Sequence, residues 1–227
     1  MIASWYAPLA DGKISEELLL SIDRGRALRV LILPALFDEA NKLRRFTIQV
    51  MRKLDAAGVD SFLPDLPGCN ESLEPLAKQT LTGWRTAAIA AAEQMAASHV
   101  LALRAGTLMA PEALPGWQFA PQTGPKLLRA MLRARTIAAR EAGQEERADQ
   151  LLDAGRREGL TLAGWEIGAE LLRDLENAQP PAADHHAIVA QSQLGGAGLW
   201  LRAEPGEDDA QSTALADLIA GTQATLA

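Results

Sequence analysis

A single cysteine, Cys69, stands in a chain of 227 residues, so no internal disulfide can form and a disulfide-built secreted scaffold is excluded. Positive charge is in deficit. Twenty-two Lys and Arg face 29 Asp and Glu, giving a net charge of −7 and a sequence pI near 5.1, which argues against a nucleic-acid partner held by its phosphates. No apolar run approaches the roughly 18 residues of a membrane span, and no period of about 20–50 residues recurs, which excludes a solenoid. The opening Met1-Ile2-Ala3-Ser4-Trp5 lacks the basic stretch and apolar core of a secretion signal, so a cytoplasmic location is expected. No metal site and no cofactor motif is read. What is present is ordinary globular composition, 48% hydrophobic and 22% charged, and a length that suits one domain over residues 1–227.

Short aliphatic runs alternate with longer helical patterns, the arrangement of a β-α-β fold with a mostly parallel sheet. The runs are Leu28–Leu33, Asp60–Leu63, His99–Leu103 and His186–Ala190. Helical patterns cover about Glu39 to Ala57, with Phe46, Val50, Met51 and Leu54 on one face, and about Thr80 to Ala97, an alanine-rich stretch in which Trp84 and Met95 read as core. Gly58 ends the first of them. After the third run Pro111, Pro115, Pro121 and Pro125 break the pattern. Two charged amphipathic helices, Leu127–Ala142 and Glu145–Arg157, then suggest a small helical insertion at about 110–160 over one sheet edge. Asn177–Asp184 reads as an exposed connector, Gly198–Leu201 as a last short strand, and Ser212 as the cap of a terminal helix from about Thr213 to Thr225.

Ligands of parallel α/β sheets sit at the carboxyl ends of the strands, which directs attention to the loops there. One is Asp65-Leu66-Pro67-Gly68-Cys69-Asn70-Glu71-Ser72. Another is the turn Ala102-Leu103-Arg104-Ala105-Gly106, with Thr107–Ala110 opening a helix. Its small-x-nucleophile-x-small pattern is that of a nucleophile elbow, where strand and helix backbones nearly touch. The central residue is arginine.

With that turn and the Asp65-x-x-Gly68-x-x-x-Ser72 loop, the chain resembles the α/β-hydrolase superfamily. More narrowly, Pro34-Ala35-Leu36-Phe37-Asp38-Glu39-Ala40-Asn41-Lys42-Leu43-Arg44-Arg45, Leu63–Cys69, Leu103–Gly106 and Leu162-Ala163-Gly164-Trp165-Glu166-Ile167 are similar to the second type of exosortase A system-associated hydrolase-like proteins. That type carries an Asn-x-x-Arg-Arg segment and an arginine within a Gly-Leu-Arg-Leu-Gly elbow. The similarity spans roughly residues 28 to 175. Ala102 departs from the first elbow glycine and Ala35 from the second of two prolines, and the chain is short for the family. The resemblance implies an α/β-hydrolase-like three-layer sandwich, with helices on both faces of the sheet, and a bacterial, cytoplasmic role in exopolysaccharide production and exosortase-dependent sorting.

Hydrolysis on that fold needs a serine, a carboxylate and a histidine at the carboxyl edge. Arg104 stays protonated and cannot attack a carbonyl. Gln191-Ser192-Gln193, after the fourth run, offers no carboxylate, and Trp200-Leu201-Arg202-Ala203-Glu204 no histidine. His99, His185 and His186 open strand-like runs, on the opposite edge. Two readings of Arg104 follow. It is a structural ion pair with Glu39 or Asp65, or, with Arg44, Arg45 and Asn41, it forms an anion clamp at a helix N-terminus. Cys69 is a spectator thiol or a nucleophile, and Asp65 a turn-capping carboxylate or an acid. Trp84, Trp165 and Trp200 are core or a substrate platform, and Arg133, Arg135 and Arg140, with Glu141, Glu145 and Glu146, form a solvated face. The expected function is therefore a degenerate hydrolase binding an anionic or acyl small molecule. The alternatives are an active hydrolase or acyltransferase, using Asp65, Cys69 or Glu39 with Arg104 as oxyanion stabiliser, and a partner-docking protein acting through the insertion helices. Whatever its role, an elbow residue at 104 should have positive φ.

Overall fold

A computed structural model describes residues 1–221. Seven strands form the central sheet: β1 (Ile2–Pro8), β2 (Ile14–Ile22), β3 (Arg29–Leu33), β4 (Asp60–Pro64), β5 (His99–Leu103), β6 (Gly116–Phe119) and β9 (His186–Val189). A two-stranded antiparallel hairpin, β7 (Leu160–Leu162) and β8 (Trp165–Ile167), lies apart from it. The sheet order is β1-β2-β4-β3-β5-β6-β9. β1 and β2 are antiparallel, β2 pairs antiparallel with β4, and the rest is parallel.

The central strands are apolar on both sides because helices cover both faces. Val30 and Ile32 of β3, with Leu101 and Leu103 of β5, point into one core. Leu31, Leu33, Val100 and Ala102 point into the other. The first core is closed by helices α1 (Asp38–Ala56) and α7 (Asp209–Ala220). The second is closed by α2 (Leu81–Gln94), α3 (Gly124–Glu141) and α5 (Ala169–Leu175). Helix α1 buries Leu43, Phe46, Thr47, Val50, Met51 and Leu54, a stripe at the helical period. Asp38 and Glu39 in its first turn oppose the positive end of the helix dipole. The remaining helices are α4 (Ala148–Glu158) and the short α6 (Gln191–Leu194). No helix among the described residues is long and apolar enough to cross a membrane.

Several sequence expectations need correction. The proline-rich stretch taken as the start of the insertion contains β6, which pairs in parallel with both β5 and β9. Gly116 explains how so short a segment fits there, since a Cβ at this position would lie 1.9 Å from the Val100 carbonyl oxygen. The inserted helices therefore begin only after the sheet has gained this strand. Gly198–Leu201 is not a strand: Leu199–Leu201 forms a 3₁₀ turn. Helix α7 is capped by Asp208, whose carboxylate accepts from the Gln211 N–H, rather than by Ser212. The expected extension of this helix to Thr225 lies outside the described residues.

Candidate functional site

The carboxyl ends of β3, β5 and β6 meet at one cleft, and each strand leaves through a backbone turn that side-chain-bearing residues rarely adopt. Phe37, Arg104 and Ala120 have φ of 56°, 54° and 46°. Each such conformation costs on the order of 1–3 kcal/mol and persists only where surrounding contacts enforce it. At Arg104 the enforcing contacts are visible. A Cβ on Gly106 would sit 2.2 Å from the Pro34 carbonyl oxygen, so the chain after β5 is pressed directly onto the β3 loop. The Arg104 carbonyl accepts from the Thr107 hydroxyl at 2.6 Å and from the Gln122 N–H at 3.3 Å. Beyond the turn, the chain continues as a 3₁₀ helix over Arg104–Met109, six residues long. The dipole of a long helix is therefore missing from this position, which removes one support of the anion-clamp reading.

The Arg104 guanidinium is held on three sides and from above. Nε donates to Glu39 Oε2 at 2.9 Å and Nη2 to Glu39 Oε1 at 3.1 Å, a two-pronged pairing. Nη1 donates to the Ala120 carbonyl at 2.7 Å. The Trp200 ring covers the guanidinium, with its centroid 4.0 Å from Cζ. The Arg104 and Glu39 side chains are 12% and 17% exposed. Of the two expected ion-pair partners, Glu39 is the one that meets Arg104.

Asp65 lies elsewhere. Almost fully buried, it accepts from Asn70 Nδ2 at 2.8 Å and pairs with Arg44 Nη1 at 3.3 Å, fixing the 65–72 loop. Arg45 pairs with Glu207 at 2.6 Å, and Asn41 is exposed. The expected clamp of Arg104, Arg44, Arg45 and Asn41 is thus not assembled. The reason is helical geometry. At about 100° per residue, positions 41, 44 and 45 turn away from Glu39 at the start of α1, whereas position 42 stays on its face. Lys42 does line the cleft, paired with Asp38 at 2.8 Å. Its spacing of three from Glu39 was the signal available in the sequence.

Cys69 and Glu39 are likewise not joined into one site. Cys69 lines a narrow void of about 10 Å³ beside Leu66 and Trp165, and does not line the Arg104 cleft. Burial, reinforced by the nearby Asp65 and Glu17 charges, pushes its thiol pKa well up, which suppresses the reactive thiolate. Glu17 of β2 is itself buried. Its Oε1 accepts from Ser15 and Ser72, and burial raises its carboxyl pKa above the ordinary value against those two hydrogen bonds.

None of the three histidines approaches the cleft. His99 opens β5 and stacks on Trp117, and His186 opens β9, bonded to the Leu114 carbonyl and to Gln118. No group of three or more His, Cys, Asp or Glu side chains suited to a metal ion occurs among the described residues.

The cleft has a volume of about 370 Å³. Glu39, Lys42, Arg104 and Gln122 supply its polar side, and Leu127, Met131 and Trp165, from α3 and β8, its apolar side. Phe37 and Trp165 pack with ring centroids 5.7 Å apart. Gln122 escaped the sequence reading because it follows β6, a strand hidden among prolines.

A sheet whose order doubles back at β4-β3, with a strained turn after β5 tightly packed against the β3 loop, decides the architecture. The chain has the α/β-hydrolase fold. Neither a family model nor a curated protein matches the sequence. Among solved structures, mouse alpha/beta hydrolase domain-containing protein 10 is similar over 99% of this chain and 100% of its own, at 12% identity and TM-score 0.56. Est1E from Butyrivibrio proteoclasticus, solved with ferulic acid, is similar over 76% and 70% at 15% identity and TM-score 0.49. A provisionally assigned hydrolase from Agrobacterium vitis S4 is similar over 61% of this chain at 15% identity and TM-score 0.44, and the chain spans 60% of that protein's length. At these identities the likeness is one of fold. On this α/β-hydrolase frame Arg104 stands in the strained turn after β5, and the Trp200 ring lies over its guanidinium.

Proposed function

We propose that this chain is a non-hydrolytic α/β-hydrolase-fold protein that binds an acyl-bearing small molecule in the cleft above Arg104. One observation carries the reading: the elbow side chain is a guanidinium already engaged by Glu39, Ala120 and Trp200. A group that cannot be deprotonated, with no imidazole beside it, supplies neither nucleophile nor base. The cleft retains what binding requires: apolar walls, a few polar groups, and a volume toward the lower end of the roughly 300–1,000 Å³ of small-molecule sites.

The charges around the cleft favour an acyl group over an anion. Arg104 is neutralised by Glu39 and Lys42 by Asp38. The similarity of the 34–45, 63–69, 103–106 and 162–167 segments to exosortase-associated hydrolase-like proteins supports a cytoplasmic role linked to exopolysaccharide production. The test is stopped-flow mixing with p-nitrophenyl acyl esters. The expected trace has no burst and no turnover beyond the buffer rate. A burst that disappears on replacing one cleft residue would overturn the proposal.

A further inference from the structure

Helix α3 carries a charge that the rest of the chain does not share. Of the 22 Lys and Arg in a chain of net charge −7, five stand on this helix, against a single acidic residue, Glu141. Arg135 is used internally, paired with Glu146. The other four, Lys126, Arg129, Arg133 and Arg140, are exposed, and among the described residues none of their side chains forms an ion pair or a hydrogen bond. Asp149 and Asp153 of the adjoining α4 do not neutralise them, being held by Arg147 and Arg156, and Glu176 is held by Arg156 as well. At about 100° per residue the four cations fall within about 60° of one another, a ridge roughly opposite the buried Leu128, Met131, Leu132 and Ala139. Like charges one turn apart repel, so a helix that lines up four of them gains from an external anion. The ridge runs between two apolar depressions. On one side is the cleft, to which α3 gives Leu127, Ala130, Met131 and Ala134. On the other is an open groove of about 430 Å³, lined by Leu128, Leu132 and Leu152 together with Arg129 and Arg133. Ile137, 48% exposed, stands on the ridge itself, one turn beyond Arg133.

We propose that this face of α3 docks the protein on a membrane surface bearing anionic phospholipids. Four separate cations spread over about 21 Å, at 1.5 Å per residue, match many spaced negative charges rather than one small anion. An apolar side chain among them and apolar hollows on both flanks match the acyl layer beneath the headgroups. An acidic protein segment would answer the charges alone, and no Trp or Tyr of the kind that anchors protein interfaces stands on α3. The acidity of the rest of the chain does not forbid the contact, because exposed charges are screened within about 10 Å at 0.1 M salt and the local charge governs the encounter. Docking by this ridge sets the α3 wall of the cleft beside the lipid.

The experiment is co-sedimentation of the full chain with vesicles of phosphatidylcholine alone, or with about 40% phosphatidylglycerol added, at low salt. The expected result is retention on the anionic vesicles only, lost at about 1 M salt, where the screening length is about 3 Å. Each cation beside an anionic surface is worth about fivefold in partitioning, so Arg129→Gln/Arg133→Gln should bind about 25-fold more weakly. Arg52→Gln/Lys78→Gln, which removes two exposed cations from elsewhere, should change binding less than about twofold. Equal retention on both vesicle types, unchanged binding of the α3 variant, or a matching loss in the control variant would each overturn the proposal. Retention abolished by about 10 mM inorganic phosphate at fixed ionic strength would overturn it in favour of a free anion. Binding of an oligoglutamate peptide without binding of vesicles would overturn it in favour of an acidic protein. The wild-type comparison of the two vesicle types decides the matter even if a variant fails to fold, and none of these outcomes bears on whether the cleft is hydrolytic.

Discussion

Deleting the Glu39 carboxylate tests the elbow most directly. In Glu39→Ala the Arg104 guanidinium keeps its charge, at 12% side-chain exposure, and loses both carboxylate contacts. Breaking a fully buried pair in this way costs about 3–5 kcal/mol. The pair borders a cleft and Ala120 still accepts from Nη1, so about 2–3 kcal/mol is expected here. For a chain of this length that lowers Tm by roughly 4–12 °C. Arg104→Met leaves Glu39 and the Ala120 carbonyl unpaired instead, at about 1–3 kcal/mol. The double variant Arg104→Met/Glu39→Leu removes both charges and sets two apolar side chains beside Trp200, Leu127 and Met131. It should cost less than the single changes added together, with a coupling of about 1.5–3 kcal/mol. Urea unfolding followed by circular dichroism, at constant m-value, measures all four corners of the cycle. A coupling below about 0.5 kcal/mol would show that the two side chains act independently and would refute the account of a turn closed by its ion pair.

Gly106→Ala should destabilise by at least the upper end of the roughly 1–3 kcal/mol of overpacking. Its Cβ would meet the Pro34 and Leu33 carbonyl oxygens at 2.2 and 2.7 Å, and a Tm within a degree of wild type would contradict that contact. Glu17 brings a pH dependence of definite sign. Burial raises its folded pKa, so the folded state holds this proton more tightly, and the stability this supplies is greatest below the unfolded pKa of about 4.5 and fades as pH climbs through the raised value. Wild type should therefore lose stability relative to Glu17→Gln as denaturation midpoints are taken from about pH 4 to pH 8; a constant difference would remove the assignment. Cys69 should react with iodoacetamide at pH 8 at least about tenfold more slowly in the native protein than in urea, because burial and the Asp65 and Glu17 charges oppose the thiolate. Equal rates, read by mass spectrometry, would count against its enclosure.

The parallel centre of the sheet was legible because strands covered on both faces are continuously apolar. His99–Leu103 was read to the residue, and Asp60–Leu63 falls one short of β4. The β1-β2 hairpin was missed. Its strands are half exposed, and the buried Glu17 breaks the alternation that would have marked β2. β6 was hidden by flanking prolines that terminate helices but tolerate a four-residue strand. At the site, the positive φ of Arg104 followed from the turn alone, whichever side chain it bore. The choice of Glu39 over Asp65 as its partner did not, because both stand near the same edge and only the fold shows Glu39, in the first turn of α1, meeting Arg104 while Arg44 and Asn70 engage Asp65. Gln122 could not be found before its strand was.

The turn at 104 is pressed onto the β3 loop through Gly106 as well as closed by its ion pair, which makes this chain a starting point for retrofitting. Arg104→Ser alone would place a hydroxyl on this strained turn and leave it without a base, since every imidazole in the sequence sits on the far rim of the sheet. The Trp200 ring, 4.0 Å from the guanidinium, already hovers over that spot. Giving this turn both a hydroxyl and a base is thus at minimum a two-position exchange, Arg104→Ser together with Trp200→His.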